Sequence, residues 1–234
     1  FSIGNLDQLF FKVAAAHVDS PALKLKENPV MKAEACEKLN AETYGGGLWY
    51  SFLDRPLKIA GRIITEENDS LKCETVVSPY QVSIPSVAIH QNRNANEGLT
   101  LNAQVDLLPL LGLEGAGESW LTAITDKKVL SYDLFLVNAD TPYSFGVNDE
   151  FIASPRIDDL TCVYAILEGL LGCAENSDGI CIGAFFDNEE IGSHTAQGAS
   201  GDFLENTLRR ITYALKLDET ELYKALHGSV LVSA

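Results

Sequence analysis

The sequence predicts an α/β domain that is interrupted, after its first strand, by a mostly β insertion. Three observations predict it. Two short apolar runs, 10–16 (FFKVAAA) and 180–186 (ICIGAFF), have strand character and both end abruptly in polar residues. The stretch between them changes texture, with β-rich runs at 57–64, 71–77, 82–90 and 129–137 separated by turn clusters at 44–47, 66–70 and 91–98. From Asn148 onward helical spacing returns around the second apolar run. The expected organisation is therefore 1–22 as the first segment of the α/β domain, 23–147 as the insertion and 148–234 as the second α/β segment.

The first strand ends in His17-Val18-Asp19-Ser20-Pro21. Strand alternation puts His17 and Asp19 on one side, so the carboxylate can sit behind one imidazole nitrogen and leave the other for a metal. A lone histidine at a strand end is more often structural, and H-x-D shifts that balance only modestly. Within the insertion, Tyr44-Gly45-Gly46-Gly47-Leu48-Trp49 lacks the G-K-[ST] of a phosphate loop and reads as a tight bend. His90, by spacing alone, is an ordinary loop histidine.

In the second segment, Asp158 and Asp159 precede a helical pattern carried by Leu160, Val163, Tyr164, Leu167, Leu170 and Leu171. One aspartate is explained as an N-cap, worth roughly 1 kcal/mol; the other is not. The run 180–186 reads as a strand buried on both faces, followed at once by Asp187, Asn188, Glu189 and Glu190. Three carboxylates where a buried strand stops repel one another unless water, hydrogen bonds or a cation balances them. An isolated D-N-E-E is more simply a solvated loop, so its neighbours decide. Between Asp149 and Glu190 there are ten acidic residues, Glu175 among them, and one basic residue, Arg156, which favours a cation site over a salt-bridged surface. Helices are expected over 198–215 and 218–226, the latter capped by Asp218, and a strand begins at 230.

Composition narrows the function. A formal net charge of −16 over 234 residues argues against nucleic-acid or anionic-membrane binding, which need a basic footprint. No apolar segment approaches the ~18 residues of a membrane span; the longest candidate, 161–173, contains Glu168. The five cysteines form no C-x-x-C pair and read as buried thiols in a reducing compartment, so a cytoplasmic location is expected. The chain opens on Phe1 and closes in what reads as mid-strand, as expected of a piece of a longer protein.

If His17, Asp158 and Glu190 gather at neighbouring strand ends, imidazole plus carboxylate suits zinc, or manganese or cobalt. A carboxylate such as Asp158 can bridge two ions, and two ions polarise a carbonyl and activate water, the requirements of amide hydrolysis. In extended backbone Glu189 and Glu190 point apart, so one can coordinate while the other handles the proton.

The motifs His17-Val-Asp19-Ser-Pro21, Tyr44-Gly-Gly-Gly-Leu-Trp49, Ser154-Pro-Arg-Ile-Asp158-Asp-Leu160, Asp187-Asn-Glu-Glu-Ile-Gly-Ser193 and Gln197-Gly198 resemble, in order and spacing, the aspartyl aminopeptidase family of dinuclear zinc exopeptidases. The resemblance covers essentially the whole chain. It implies a zinc-peptidase-like α/β domain with an inserted β-rich oligomerisation domain, a dodecameric homo-oligomer, two divalent ions and peptide substrates. Position by position it implies that His17, Asp158 (bridging) and Glu190 are metal ligands, that Glu189 is the general base, and that Asp19 is the carboxylate behind the histidine. It also makes His90 a histidine lent to a neighbouring subunit's active site, which revises the reading from spacing. Asp159 departs from the more frequent Asn and is expected to cap the helix or support a ligand. His194 and His227 match no family ligand.

The implied activity is removal of N-terminal residues, acidic ones preferred. No residue in view supplies a cationic contact for an acidic side chain, leaving a neutral preference as the alternative. The family has a further Asp and a further His ligand beyond the point where this chain stops, so these 234 residues alone are expected to be inactive. The alternative from another class is a non-catalytic assembly remnant of the same fold.

Overall fold

The computed structural model describes residues 1–4, 6, 9–173 and 178–234, so Glu175 lies outside the described residues. In chain order the strands and helices are β1 (Ser2–Ile3), β2 (Phe11–His17), β3 (Ala22–Ala33), β4 (Cys36–Tyr44), β5 (Leu57–Glu67), β6 (Ser70–Val77), α1 (Ala103–Asp106), β7 (Leu110–Leu113), α2 (Ala116–Ser119), β8 (Val129–Asn138), β9 (Tyr143–Phe145), β10 (Phe151–Ala153), α3 (Ile157–Leu171), β11 (Ile180–Phe186), α4 (Phe203–Ala214), α5 (Glu219–His227) and β12 (Val230–Ser233). They fall into two compact units, one of Phe1–Ser20 with Arg156–Ala234, the other of Pro21–Pro155. Residues 148–155, grouped by texture with the second α/β segment, thus belong to the β-rich unit, where β9 and β10 form their own antiparallel pair.

The first unit is built on a sheet of order β1-β11-β2-β12, with β11 and β12 both parallel to β2. Phe11, Val13 and Ala15 of β2 and Ile180, Ile182, Ala184 and Phe186 of β11 alternate onto one face. There they bury Leu208 and Ile211 of α4 and Leu222 and Ala225 of α5. Each large aliphatic side chain so covered contributes about 1.5–3 kcal/mol. Asp218 caps α5 as expected, its side chain accepting from the Glu221 N–H at 3.0 Å.

β11 departs from the expectation of burial on both faces: Cys181, Gly183 and Phe185 are only half-buried. This second face meets α3. A Cβ on Gly183 would lie 3.1 Å from Ile166 Cγ2, so the missing side chain lets the helix settle on the strand. The helix turns Cys162, Val163, Ile166 and Leu170 inward, whereas Leu160, Tyr164, Leu167 and Leu171 of the expected apolar pattern are exposed. The thiols also differ from expectation. Cys73 is exposed, Cys36, Cys162, Cys173 and Cys181 are half-buried, and all five are thiols rather than disulfides.

The second unit is an antiparallel sheet of order β6-β5-β8-β3-β4-β7. Its core is filled by alternate residues of the long strands, among them Leu23, Leu39, Leu57, Ile59, Leu134 and Leu136. The β5–β6 hairpin closes through Asn68 and Asp69 with φ of 53° and 59°, the left-handed pair that matches strand twist. β3 and β4 are not among the strands expected from texture, because lysines and Asn28-Pro29 break up the apolar signal. The run 82–90 is not a continuous strand: only residues 82–84 make isolated bridges, and 89–91 turn.

Asp133 on β8 sits between Lys24 at 2.7 Å and Arg62 at 3.0 Å. Burial alone would raise its carboxyl, but the bonds and charges of Lys24 and Arg62 outweigh burial and hold it below the usual value. A carboxylate with a depressed folded-state pKa adds stability above its unfolded value, near 3.9, and loses it as pH falls through the folded value. Asp133→Asn is expected to destabilise this unit by about 1 kcal/mol at pH 7, given the partial exposure. Thermal unfolding of variant and wild type should converge as the pH drops below about 4.

Candidate metal centre

Parallel pairing brings the ends of β2 and β11 to one level, with His17 opposite Phe186. The chain leaves both strands together, since the Val18 N–H donates to the Phe186 carbonyl at 2.9 Å. β11 lies on one side of β2 and β12 on the other, and the C-terminal ends of such strands are where open α/β sheets gather ligands. The start of α3 adds Asp158 and Asp159, joined by a cis peptide bond.

The His17 ring is the hub. Its Nδ1 lies 3.0 Å from the Asp19 backbone carbonyl and 3.4 Å from Asp19 Oδ1. On the other side Nε2 lies 3.2 Å from Asp158 Oδ1 and 3.9 Å from Glu189 Oε2. The imidazole is well covered, with 12% of its side chain exposed, whereas Asp158 is 91% and Glu189 55% exposed. Burial pulls the imidazole pKa down, but the bonds to the Asp19 carbonyl and the Asp158 carboxylate, with the fields of Glu189 and Asp19, raise it above the usual value.

Asp19 does more than the H-x-D spacing suggests. Its Oδ1 accepts from the Glu189 N–H at 3.1 Å and its Oδ2 from the Glu190 N–H at 3.2 Å. One carboxylate therefore holds both the end of the first strand and the D-N-E-E loop. Glu189–Ile191 is a 3-10 turn rather than extended backbone, which removes the strand-alternation argument for separating Glu189 from Glu190. The amides of both residues are anchored by Asp19 instead. Asp159 is buried, and its Oδ2 accepts from the His17 N–H at 3.4 Å. The residue at the N-terminal cap of α3 is Arg156, without a side-chain capping bond.

The loop has a second scaffold that spacing did not reveal. Asn188 is left-handed at φ 61°, its Oδ1 accepts from Thr195 Oγ1 at 2.8 Å, and its carbonyl accepts from the Ser193 N–H at 2.8 Å. Gly198 closes this loop: a Cβ there would lie 2.1 Å from the Ser193 carbonyl oxygen. Gly198→Ala must push the backbone at Ser193 aside, an overpacking cost of about 1–3 kcal/mol. Lower stability in chemical unfolding and weaker zinc retention under chelator are the expected results.

The fold thus brings His17, Asp19, Asp158 and Glu189 together, with Glu190 tied in through its backbone N–H. His90 belongs to the other unit, exposed in the turn at 89–91. Imidazole nitrogen and carboxylate oxygen are zinc donors, and two donors about 2.0–2.1 Å from a tetrahedral ion stand about 3.3 Å apart. The 3.2 Å between His17 Nε2 and Asp158 Oδ1 fits that edge. Among the described residues, however, no group of three or more His, Cys, Asp or Glu side chains is disposed to hold a metal ion.

The family model described as "Aminopeptidase I zinc metalloprotease (M18)" matches residues 1–234. The chain is 39% identical to "Probable M18 family aminopeptidase 2" of Clostridium novyi (strain NT), an alignment covering 100% of this chain and 58% of that protein. Among solved structures, the chain in "Cryo-EM structure of the Ape4 and Nbr1 complex" superimposes with a TM-score of 0.84 at 31% identity, covering 97% of this chain and 49% of that one. The "Structure of S. cerevesiae mApe1 dodecamer" aligns with a TM-score of 0.74 at 24% identity over 95% of this chain and 53% of that one, a likeness of fold. This chain spans little more than half the length of the Clostridium relative. Among the described residues no helix is long and apolar enough to cross a membrane.

Proposed function

The chain belongs to the M18 family of aminopeptidase I zinc metalloproteases, and from that premise we propose that the protein containing it hydrolyses N-terminal peptide bonds, preferring acidic first residues. The observation that carries the reading is His17 Nε2 standing 3.2 Å from Asp158 Oδ1, a separation that two donors to one zinc ion would have, at the end of a central parallel strand. His17, Asp158 and Glu190 would hold two ions, with Asp158 between them. When bound, zinc supplies Lewis acidity toward a carbonyl oxygen and toward water.

The remaining chemistry is the chain's own. Glu189 accepts a proton at its exposed carboxylate and delivers it to the leaving amine. Asp19 keeps the imidazole turned so that Nε2 faces Asp158, and holds the Glu189 and Glu190 amides in place. His90 would serve a neighbouring subunit's site in a homo-oligomer, a dodecamer in the assembly implied by the motifs, and the protein would be cytoplasmic.

The deciding experiment incubates the full-length protein with peptides bearing Asp, Glu, Ala or Leu first, each with a free or acetylated N-terminus. Stepwise loss of the first residue from free peptides only, abolished by chelation and restored by zinc, is the expected result. Internal cleavage, or no cleavage with zinc present, overturns the peptidase reading. Equal rates for all four first residues overturn the acidic preference alone.

A further inference from the structure

Cys173 and Cys181 take no part in the centre described above, yet their sulfurs are 2.8 Å apart. From this we infer that the two thiols form a modification site, a dithiol that closes reversibly to an intrachain disulfide and ties the end of α3 to β11. Two independent features put them together. Cys181 is fixed in the middle of the sheet, opposite Ser2 of β1 on one side and Lys12 of β2 on the other. Its side chain lies on the half-buried face that also carries Gly183, where α3 packs closely.

Cys173 follows Gly172, which ends α3, and its N–H donates to the Leu170 carbonyl at 3.2 Å. It lies in the same inward-turned series as Cys162, Val163, Ile166 and Leu170. The two sulfurs need to close by only about 0.8 Å to reach the ~2.0 Å of a covalent S–S bond. Both are half-buried, accessible to a small oxidant but held against each other.

The reaction balances with hydrogen peroxide as the two-electron oxidant. One thiolate attacks the peroxide oxygen, the O–O bond breaks, and a sulfenic acid forms with release of water once the leaving oxygen is protonated. The second thiol attacks the sulfenic sulfur, the S–S bond forms, the S–O bond breaks and a second water leaves. A small-molecule dithiol reverses the step by exchange. The site is remote from Asp158, because Asp158 and Asp159 are non-helical and the regular helix that follows them, from Leu160 to Leu171, is about 18 Å long. The inference does not depend on the metal reading.

The test uses the reduced full-length protein, treated with a small excess of hydrogen peroxide, alkylated and digested after glutamate. Cleavage at Glu168 and Glu175 places Cys162, Cys173 and Cys181 on three different peptides. The expected result is a Cys173–Cys181 linked pair that disappears with dithiothreitol and is absent from the Cys181→Ser variant, with Cys36, Cys73 and Cys162 alkylated. Separately alkylated Cys173 and Cys181, their overoxidation to sulfinic acids, or linkage to other cysteines in equal yield would overturn it.

Discussion

Glu189→Gln is expected to lower kcat/KM for N-terminal cleavage by the full-length protein by about 10²–10⁴-fold, the usual contribution of a positioned acid–base group, while zinc content stays at the wild-type level. The structure explains why the change should be so selective. Asp19 grips Glu189 through the backbone N–H at 3.1 Å, and that bond survives when the side chain becomes an amide. The carboxylate itself is 55% exposed and 3.9 Å from His17 Nε2, close enough to share the site but free to take up and release a proton. Gln preserves size and one acceptor oxygen but cannot accept the proton. Steady-state kinetics paired with elemental analysis separate the possible roles. Retained activity would remove Glu189 from the chemistry, and joint loss of zinc and activity would make it a ligand.

How much of this was legible in the sequence depends on the range over which each signal acts. The strand 10–16 and the run 180–186 were readable because β pattern is local, and the D-N-E-E cluster because repulsion among neighbouring carboxylates needs no knowledge of the fold. What pairs them was not readable. The register His17 opposite Phe186 is set by contacts 169 residues apart in sequence (186 − 17), and nothing local encodes it. The role of Asp19 was half legible: H-x-D pointed to the imidazole, but the two loop amides it holds lie 170 and 171 residues away.

The misreadings share a cause. Leu160, Tyr164, Leu167 and Leu171 look like a core stripe by periodicity, yet periodicity names an apolar face without saying what it meets; here these four are exposed, Cys162, Val163 and Ile166 are half-buried, and Ile166 is the residue that approaches Gly183 of β11. Likewise the helix expected over 198–215 begins only at Phe203, and Gly198 belongs instead to the preceding loop, where a Cβ would lie 2.1 Å from the Ser193 carbonyl oxygen.

Removing the imidazole tests the centre at its hub. His17→Ala is expected to leave the sheet intact, because the residue's backbone N–H still meets Asp159 and β2 keeps its pairing with β11 and β12. Zinc affinity should nevertheless fall further than in Asp19→Asn, for which the 10–100-fold loss typical of an outer partner is expected. The ordering follows from geometry. His17 Nε2 faces Asp158 directly at 3.2 Å, whereas Asp19 acts from behind, on Nδ1 and on the two loop amides. Asp19→Asn keeps an acceptor oxygen, but its NH₂ group faces an N–H donor in place of the second oxygen, so it should also loosen the loop and lower kcat beyond its effect on affinity. Chelator competition on the full-length variants, read by a zinc-sensitive dye, ranks the two. Equal zinc retention in His17→Ala and wild type would mean that the imidazole is a structural histidine held among carboxylates, and the metal-centre assignment would fall with it.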